Sequence, residues 1–313
     1  MPEGGGGEGR RRLGVGVVVL NYRTPRLVLD CLESLAPELR PGEVEALVVD
    51  NASADGSAER LRAELARRPW PVGLVEAAEN RGFAAGNNLG IRSLDAEAFL
   101  LLNSDTLVRP GAVARLRKAL EADPRVGIVG PRLEWPDGEP QISAFRAHTP
   151  WSQLISASSL EIVRRALARF EVSLPLQSQE APAWVSFAAV LIRRQLLEEV
   201  GPLDERYFMY FEDADLCLRA GRRGWKVVQE PAARVVHLRG GTSPVKRLTA
   251  AGERRPAYYY AARRHYFRSQ FGPWGLLAAN LLWTLGWSLS LVRRALGGPR
   301  RTVRRELRDN WGI

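Results

Sequence analysis

The segment Phe208-Met209-Tyr210-Phe211-Glu212-Asp213-Ala214-Asp215-Leu216-Cys217-Leu218-Arg219 sets three carboxylates within four positions. An ordinary reading exists for them. Acidic residues favour helix N-termini, where they cap free N–H groups, and Asp215 with Arg219 is a routine i,i+4 pair. Glu212 and Asp213 side by side among Tyr207, Phe208, Tyr210 and Phe211 are harder to reduce to capping. A helix N-terminus keeps Asp213 ionised, which suits a general base.

Two further residues could hold a metal. His237 ends the apolar run Arg234–Val236, and Asp105 closes Asn103-Ser104-Asp105. Each alone reads equally well as structural, the histidine as a strand end and the aspartate as a turn residue. Together with diphosphate oxygens, a carboxylate and an imidazole make an acceptable octahedral site for Mg²⁺ or Mn²⁺. Their distance in sequence leaves the pairing open.

The elements that must position these residues follow from the pattern. Val15–Leu20 is an apolar, β-branched run of the kind buried on both sheet faces. Thr24-Pro25 then supplies an N-cap and a first-turn proline for a helix carrying Leu27, Leu29, Leu32 and Leu35. Further strands are expected at Ala46–Val49, Val72–Val75, Phe99–Leu102 and Val126–Val129. Helices are expected after Asp55-Gly56, near Ala84–Leu94 and over Gly111–Glu121. Residues 142–182 show no clear period beyond Leu160–Phe170. Trp184–Ile192 reads as one strand, followed by a short helix ending at Val200-Gly201. This alternation predicts an α/β fold, a mostly parallel sheet with helices on both faces. Ligands bind such sheets beyond the carboxyl ends of the strands. Asn21-Tyr22, Asp50-Asn51, Asn80 and Asp105 all follow a strand.

Two nucleotide-binding classes are excluded. The first turn, Asn21-Tyr22-Arg23-Thr24-Pro25, lacks the G-x-G-x-x-G glycines, and the chain has no G-x-x-x-x-G-K-[ST]. Bound phosphates would need another counter-charge, and a metal is the obvious one. Cys31 and Cys217 are the only cysteines in 313 residues, so no disulfide framework forms and a reducing, cytosolic compartment is expected. Residues 1–12 are Gly-rich without an apolar run and read as a disordered leader, neither signal peptide nor membrane span.

In combination, Val17–Tyr22, Val48–Ser57 (VVDNASADGS), Glu79–Ile91 (ENRGFAAGNNLGI), Leu101–Val108 (LLNSDTLV) and Val200–His237 resemble the family 2 glycosyltransferases of the GT-A fold, in their rhamnosyltransferase-like branch. The resemblance spans roughly residues 13–240 and implies a Rossmann-like nucleotide-diphospho-sugar transferase domain there. It places Asp105 on the last acidic position of the family's D-x-D motif as a metal ligand, with Asn103 replacing the first. Asp50 falls where the family binds the nucleobase, with Tyr22, Asn80 and Arg81 near it and Asn103 and Ser104 on the donor side. Asp213 takes the base position, and His237, 24 residues on, matches the downstream metal histidine. Trp184, Phe187 and Glu212 are expected around the sugar or acceptor pocket. Phe187 departs from the pattern W-V-x-G-A, where the family has glycine, and should narrow that pocket. The activity implied is an inverting, metal-dependent transfer from a nucleotide-diphospho-sugar donor, dTDP-L-rhamnose as the best guess, to a glycan or polyprenyl-linked acceptor. Other donors, galactofuranose or a UDP-hexose, and a non-catalytic sugar-nucleotide or glycan binder are the alternatives.

The charge of the chain is placed unevenly. Lys246–Ile313 holds fourteen Lys or Arg against Glu253, Glu306 and Asp309, a net of +11, so the preceding residues sum to −1 of the total +10. Trp274–Val292 runs 19 residues without a formal charge, about 28 Å as a helix and close to the ~30 Å hydrocarbon core. Residues 241–313 are therefore expected to be a basic helical tail against an anionic membrane surface, lying in its plane, spanning or re-entering it, or packing in a core. The expected location is the cytoplasmic face of the cell membrane, peripherally held. Nucleic acid is not an expected partner, although Tyr258, Tyr259, Tyr260 and Tyr266 lie among arginines.

Overall fold

The computed structural model describes residues 12–238, 245–251, 253–295 and 305–312. The expected leader, apart from residue 12, and the 240/241 boundary lie outside them. Leu13–Asn21 forms β1, whose Val15, Val17, Val18 and Val19 are all fully buried, as an apolar β-branched run demands. It pairs in parallel with β2 (Val44–Asp50) on one side and β4 (Ala96–Asn103) on the other, and β3 (Val72–Glu76) extends the sheet beyond β2. The full order is β3-β2-β1-β4-β9-β6-β10-β5. Here β5 is Thr106–Val108, β6 Val126–Glu134, β9 Ala189–Arg193 and β10 Lys226–His237. β9 is antiparallel to β4 and β6, and β5 is antiparallel to β10, so the sheet is mostly parallel but mixed.

Both sheet faces are covered. Val15, Val17 and Val19 pack with Val28, Cys31, Leu32 and Leu35 of α1 (Pro25–Leu35) and with Leu116 and Leu120 of α4 (Ala112–Glu121). Val18 and Val49 face the layer of α3 (Phe83–Ser93), α7 (Arg194–Val200) and α8 (Glu212–Arg222), through Ala84, Leu196 and Leu216. α2 (Ser57–Leu65) follows β2. The expected α/β architecture is thus observed.

Two local expectations are corrected. Trp184–Ile192 is not one strand. Trp184–Val185 (β8) pairs with Ala144–Phe145 (β7) in a separate small sheet, and the chain turns at Ser186-Phe187-Ala188 before entering β9. The turn is fixed by the Ala188 carbonyl, which accepts from the Asn103 N–H at 2.9 Å. Within 142–182 lies a helix the periodicity did not show, α5 (Pro150–Ser158), ahead of the short α6 (Glu161–Ala166). Thr149 caps α5 through a reciprocal bond pair with Ser152, and Pro150 opens its first turn. The same Thr-Pro pair opens α1 at Thr24-Pro25, but there the expected side-chain cap is absent, because the Thr24 hydroxyl is engaged by Asn21 and Ser104.

The tail holds α9 (Val245–Ala250), α10 (Ala257–Ala295) and α11 (Glu306–Trp311). α10 breaks at Gly272 (φ +70°), followed by Pro273. Arg263 reaches Asn280 at 2.8 Å and the Ala279 carbonyl at 3.2 Å. A straight helix would hold residues 263 and 280 about 25 Å apart, so the two limbs fold back on each other. The second limb packs on α5 so closely that a Cβ at Gly286 would stand 2.6 Å from the Leu154 carbonyl oxygen.

Candidate functional site

Strand ends gather the polar residues at one edge of the sheet. Asn21, at the end of β1, donates to Asp50 Oδ1 at 2.6 Å, and its Oδ1 accepts from the Thr24 N–H at 3.1 Å. Thr24 Oγ1 lies 2.8 Å from Ser104 Oγ, which ties the first turn to the Asn103-Ser104-Asp105 turn after β4. Asn51 donates to Asn80 Oδ1 and to the Gly82 carbonyl, each at 3.1 Å. Gly82 has φ +94°, and a Cβ there would fall 2.1 Å from the Phe208 carbonyl oxygen. Only glycine lets the 208–211 loop approach this closely.

The pairing of β5 with β10 solves the sequence distance between Asp105 and His237. His237 registers opposite Thr106, and the Leu238 N–H donates to the Asp105 carbonyl at 2.9 Å. Asp105 Oδ1 and His237 Nε2 consequently stand 3.5 Å apart. Octahedral bonds of ~2.1 Å to neighbouring ligands give an edge of about 3 Å, so the pair fits two adjacent positions around a divalent cation. A carboxylate with one imidazole suits Mn²⁺ or Mg²⁺. Among the described residues no third His, Cys, Asp or Glu joins them, which leaves the remaining positions to ligand oxygens or water.

Asp213 stands half-buried in the first turn of α8, with Oδ1 accepting from the Ala214 N–H at 2.8 Å. Burial raises its pKa to about 6 against the backbone N–H donors of Ala214, its own residue and Phe187, which favour the charged form. Glu212 is buried, and burial together with the Asp213 charge raises its pKa well above the ordinary carboxylate range. Its Oε2 has no hydrogen-bond partner among the described residues. Asp215 faces away from this site. It accepts from Arg219 Nε at 2.7 Å and from Tyr207 Oη at 3.3 Å, the structural pairing expected of it.

These groups border a cleft of about 500 Å³. Of the residues singled out in the sequence, Tyr22, Asn80, Asn103, Ser104, Asp105, Phe187, Glu212, Asp213 and His237 line it. Phe187 is 2% exposed, and its ring is packed into the cleft wall. Three residues stand elsewhere. Asp50 is turned into the β1–β2 edge, where Ser53 donates to it from both its N–H (3.0 Å) and its hydroxyl (2.7 Å). Arg81 points outward and pairs with Glu205 at 3.2 Å. Trp184 lies behind the cleft, stacked on Phe145 with ring centroids 4.0 Å apart, its indole N–H given to the Arg146 carbonyl. The cleft wall also carries Ser186, which the sequence does not mark, and Asn51, Tyr210 and Tyr258, which it marks only as a strand-end residue, an aromatic beside the carboxylates and a tyrosine among arginines. Asn51 was legible, being polar and next to a strand end. Tyr258 was not, because it arrives from α10.

The family model of glycosyl transferase family 2 matches residues 16–201. An N-acetylglucosaminyl-diphospho-decaprenol L-rhamnosyltransferase of Mycobacterium tuberculosis is 32% identical to this chain, covering 88% of it and 90% of that protein. A low-salt glycan biosynthesis hexosyltransferase of Haloferax volcanii is 25% identical over 71% of this chain and 66% of its own length. Among solved structures, a Pyrobaculum calidifontis mannosyltransferase in complex with GDP-Man and Mn²⁺ superposes with a TM-score of 0.59 at 20% identity, over 92% of this chain and 77% of that one. The Staphylococcus aureus TarS fragment 1–349 gives 0.54 at 16%, over 90% and 73%. The two superpositions establish the GT-A-like fold.

Proposed function

The chain belongs to glycosyl transferase family 2 and is a glycosyltransferase acting on a nucleotide sugar; on that premise we propose that it moves a sugar, with inversion, from a nucleoside-diphosphate donor to a polyprenyl-linked acceptor. The observation that carries this reading is the convergence on one cleft of Asp213 with the Asp105–His237 pair. dTDP-L-rhamnose is the first candidate donor, supported by the 32% identity to the Mycobacterium L-rhamnosyltransferase across most of both chains.

Asp213 accepts the proton of the acceptor hydroxyl as that oxygen attacks the anomeric carbon from the face opposite the departing diphosphate. General-base help of this kind contributes about 10²- to 10⁴-fold. Asp105 and His237 would hold Mg²⁺ or Mn²⁺. When bound, that ion supplies Lewis-acid stabilisation of the charge growing on the leaving diphosphate. Tyr22, Asn80, Asn103 and Ser104 form the donor side of the cleft, while Asp50 fixes the turn that carries Tyr22. Phe187 limits the volume open to the sugar and, through its N–H, helps keep Asp213 charged. Glu212, protonated, lines the acceptor side without repelling the base.

The second limb of α10 supports an in-plane membrane location at the cytoplasmic face. Trp274, Leu277, Leu281, Leu285 and Val292 form an exposed apolar stripe, whereas Ala279, Asn280 and Trp283 are buried on the opposite side. By length and composition Ala257–Val292 would also pass as a span, but its commitment to α5 and its fold-back at Gly272 favour the surface arrangement.

The test is thermal unfolding with dTDP, UDP and GDP, each with and without Mn²⁺. A ligand at one hundred times its dissociation constant stabilises by about 2.7 kcal/mol. The expected result is a shift with dTDP that is largest when Mn²⁺ is present. Unshifted melting with all three nucleotides would remove the donor site and with it this reading.

A further inference from the structure

A second cavity, of about 910 Å³, lies between α5, both limbs of α10 and α11. Its chemistry is unlike that of the catalytic cleft. Arg263, 2% exposed, forms part of its wall and donates to Gln153 Oε1 at 2.7 Å, to Asn280 Oδ1 at 2.8 Å and to the Ala279 carbonyl at 3.2 Å. All three partners are neutral. Among the described residues no carboxylate comes within ion-pair distance of this buried guanidinium. The nearby acid on the same wall, Glu306, is engaged by Arg255 at 2.9 Å, and Glu171 is half-exposed. Burial lowers the Arg263 pKa only to about 10, so it is a cation throughout the physiological range. His148, on the same cavity, is held neutral, with its pKa pushed down to about 4 by burial and by the Arg263 charge. A second donor is also unused: Trp287 Nε1 is buried and has no hydrogen-bond partner among the described residues. A buried cation without an anion is costly, and a wall that combines it with an unpaired N–H and the rings of Phe170, Trp283 and Trp287 is built for an anion attached to something apolar.

The position of the cavity adds the connection. Tyr210 lines both the cavity and the catalytic cleft, and the adjacent Tyr258 and Tyr259 face the cleft and the cavity respectively. Tyr210 and Phe211 carry φ of +75° and +70°, left-handed values rare for non-glycine residues. Two such residues in succession mark a loop held in a costly shape where the two spaces meet. On the far side, the same α10 limb that shows Trp283 and Trp287 to the cavity shows Leu281 and Leu285 outward.

We propose that this second cavity seats the diphosphate head of the lipid-linked acceptor, with Arg263 as its counter-charge and the Trp287 N–H as a further donor, so that the attached sugar reaches Asp213 past the Tyr210–Tyr258 wall. The inference rests on the transferase reading above and adds to it the place and chemistry of acceptor capture.

The test uses the full chain in mild-detergent micelles and follows tryptophan fluorescence on addition of decaprenyl diphosphate, with inorganic diphosphate and phosphatidylglycerol as separate arms. Wild type should bind decaprenyl diphosphate at least tenfold more tightly than either control compound. Arg263→Gln should weaken that binding tenfold or more, and Trp287→Phe, which keeps the packing and removes the N–H, a few-fold. The nucleotide-induced thermal shift should be the same in all three proteins, which certifies that the variants are folded. Equal lipid affinity in wild type and both variants would overturn the proposal. So would equal binding of inorganic diphosphate, which makes the site one for free anions, or equal binding of phosphatidylglycerol, which makes it one for bulk lipid headgroups. A wild type that binds the carrier but no nucleotide would support this cavity while breaking the donor-site reading.

Discussion

Glu212 and Asp213 are sequence neighbours under opposite demands. Both lose solvent in the first turn of α8, and two adjacent carboxylates ionise in turn rather than together. Asp213 goes first, because backbone N–H groups from Ala214 and Phe187 favour its charged form. Glu212 has only its own backbone N–H for this, and its Oε2 has no partner among the described residues. One proton is thus kept on Glu212, and Asp213 is the carboxylate that the proposed mechanism uses. The sign of the pH dependence follows. A base raised to about 6 is unprotonated above that pH and lost below it, so kcat/KM should hold through neutrality and fall roughly tenfold per unit below about pH 6. Asp213→Asn should cost about 10²- to 10⁴-fold in kcat and abolish that limb. A wild-type profile flat to pH 5, or near-normal turnover by the variant, would take the base role away from Asp213.

At the scale of elements, the site depends on three contacts between segments far apart in the chain. β5 carries Thr106 to His237, the Thr24–Ser104 hydroxyl contact joins the first two polar turns, and Gly82 admits the Phe208 backbone beside it. The last is the most exposed to mutation. Phe83 N–H donates to the Phe208 carbonyl at 2.6 Å, so the start of α3 and the loop before α8 are locked together. Gly82→Ala adds both a left-handed penalty of order 1–3 kcal/mol and a backbone clash that no side-chain rotation relieves. The loop of Phe208–Phe211 must shift, and with it the cleft wall in front of Asp213. The expected outcome is a cooperative but lowered melting transition, with activity reduced tenfold or more beyond what the fraction folded explains. Unchanged specific activity would show that the lock is incidental to the site.

For the molecule as a whole, α10 joins what would otherwise be two parts. Its first limb supplies Tyr258 to the cleft and Arg263 to the second cavity, and its second limb covers α5 with one face and leaves the other apolar and exposed. That outward stripe should carry membrane binding. Each exposed leucine brought into the lipid interface gains by about 0.8 kcal/mol per buried CH₂. Wild type should float with anionic vesicles, and the triple variant Leu277→Ser, Leu281→Ser, Leu285→Ser should lose at least tenfold in vesicle partitioning while keeping its nucleotide response. Equal flotation by the two proteins would place the membrane contact elsewhere.

Local sequence determined the elements and most of the cleft. The all-apolar run of β1, the Thr24-Pro25 start and polar residues at successive strand ends encode strand, helix and site edge, because periodicity and turn chemistry act over a few residues. The same locality explains why Tyr22, Asn80, Asn103, Asp105 and Asp213 were legible as a set. Tertiary structure alone decided three things. The division of Trp184–Ile192 between two sheets follows from hydrogen bonds to distant partners at Asn103 and Phe145. The withdrawal of Asp50, Arg81 and Trp184 from the cleft follows from partners at Ser53, Glu205 and Arg146 that satisfy them elsewhere. The second cavity exists only because α10 reverses at Gly272 and lays Arg263 against Asn280. A charge run in sequence records how many cations there are. Which of them is buried without a counter-ion among the described residues depends on packing between segments more than a hundred residues apart, and no local pattern carries that information.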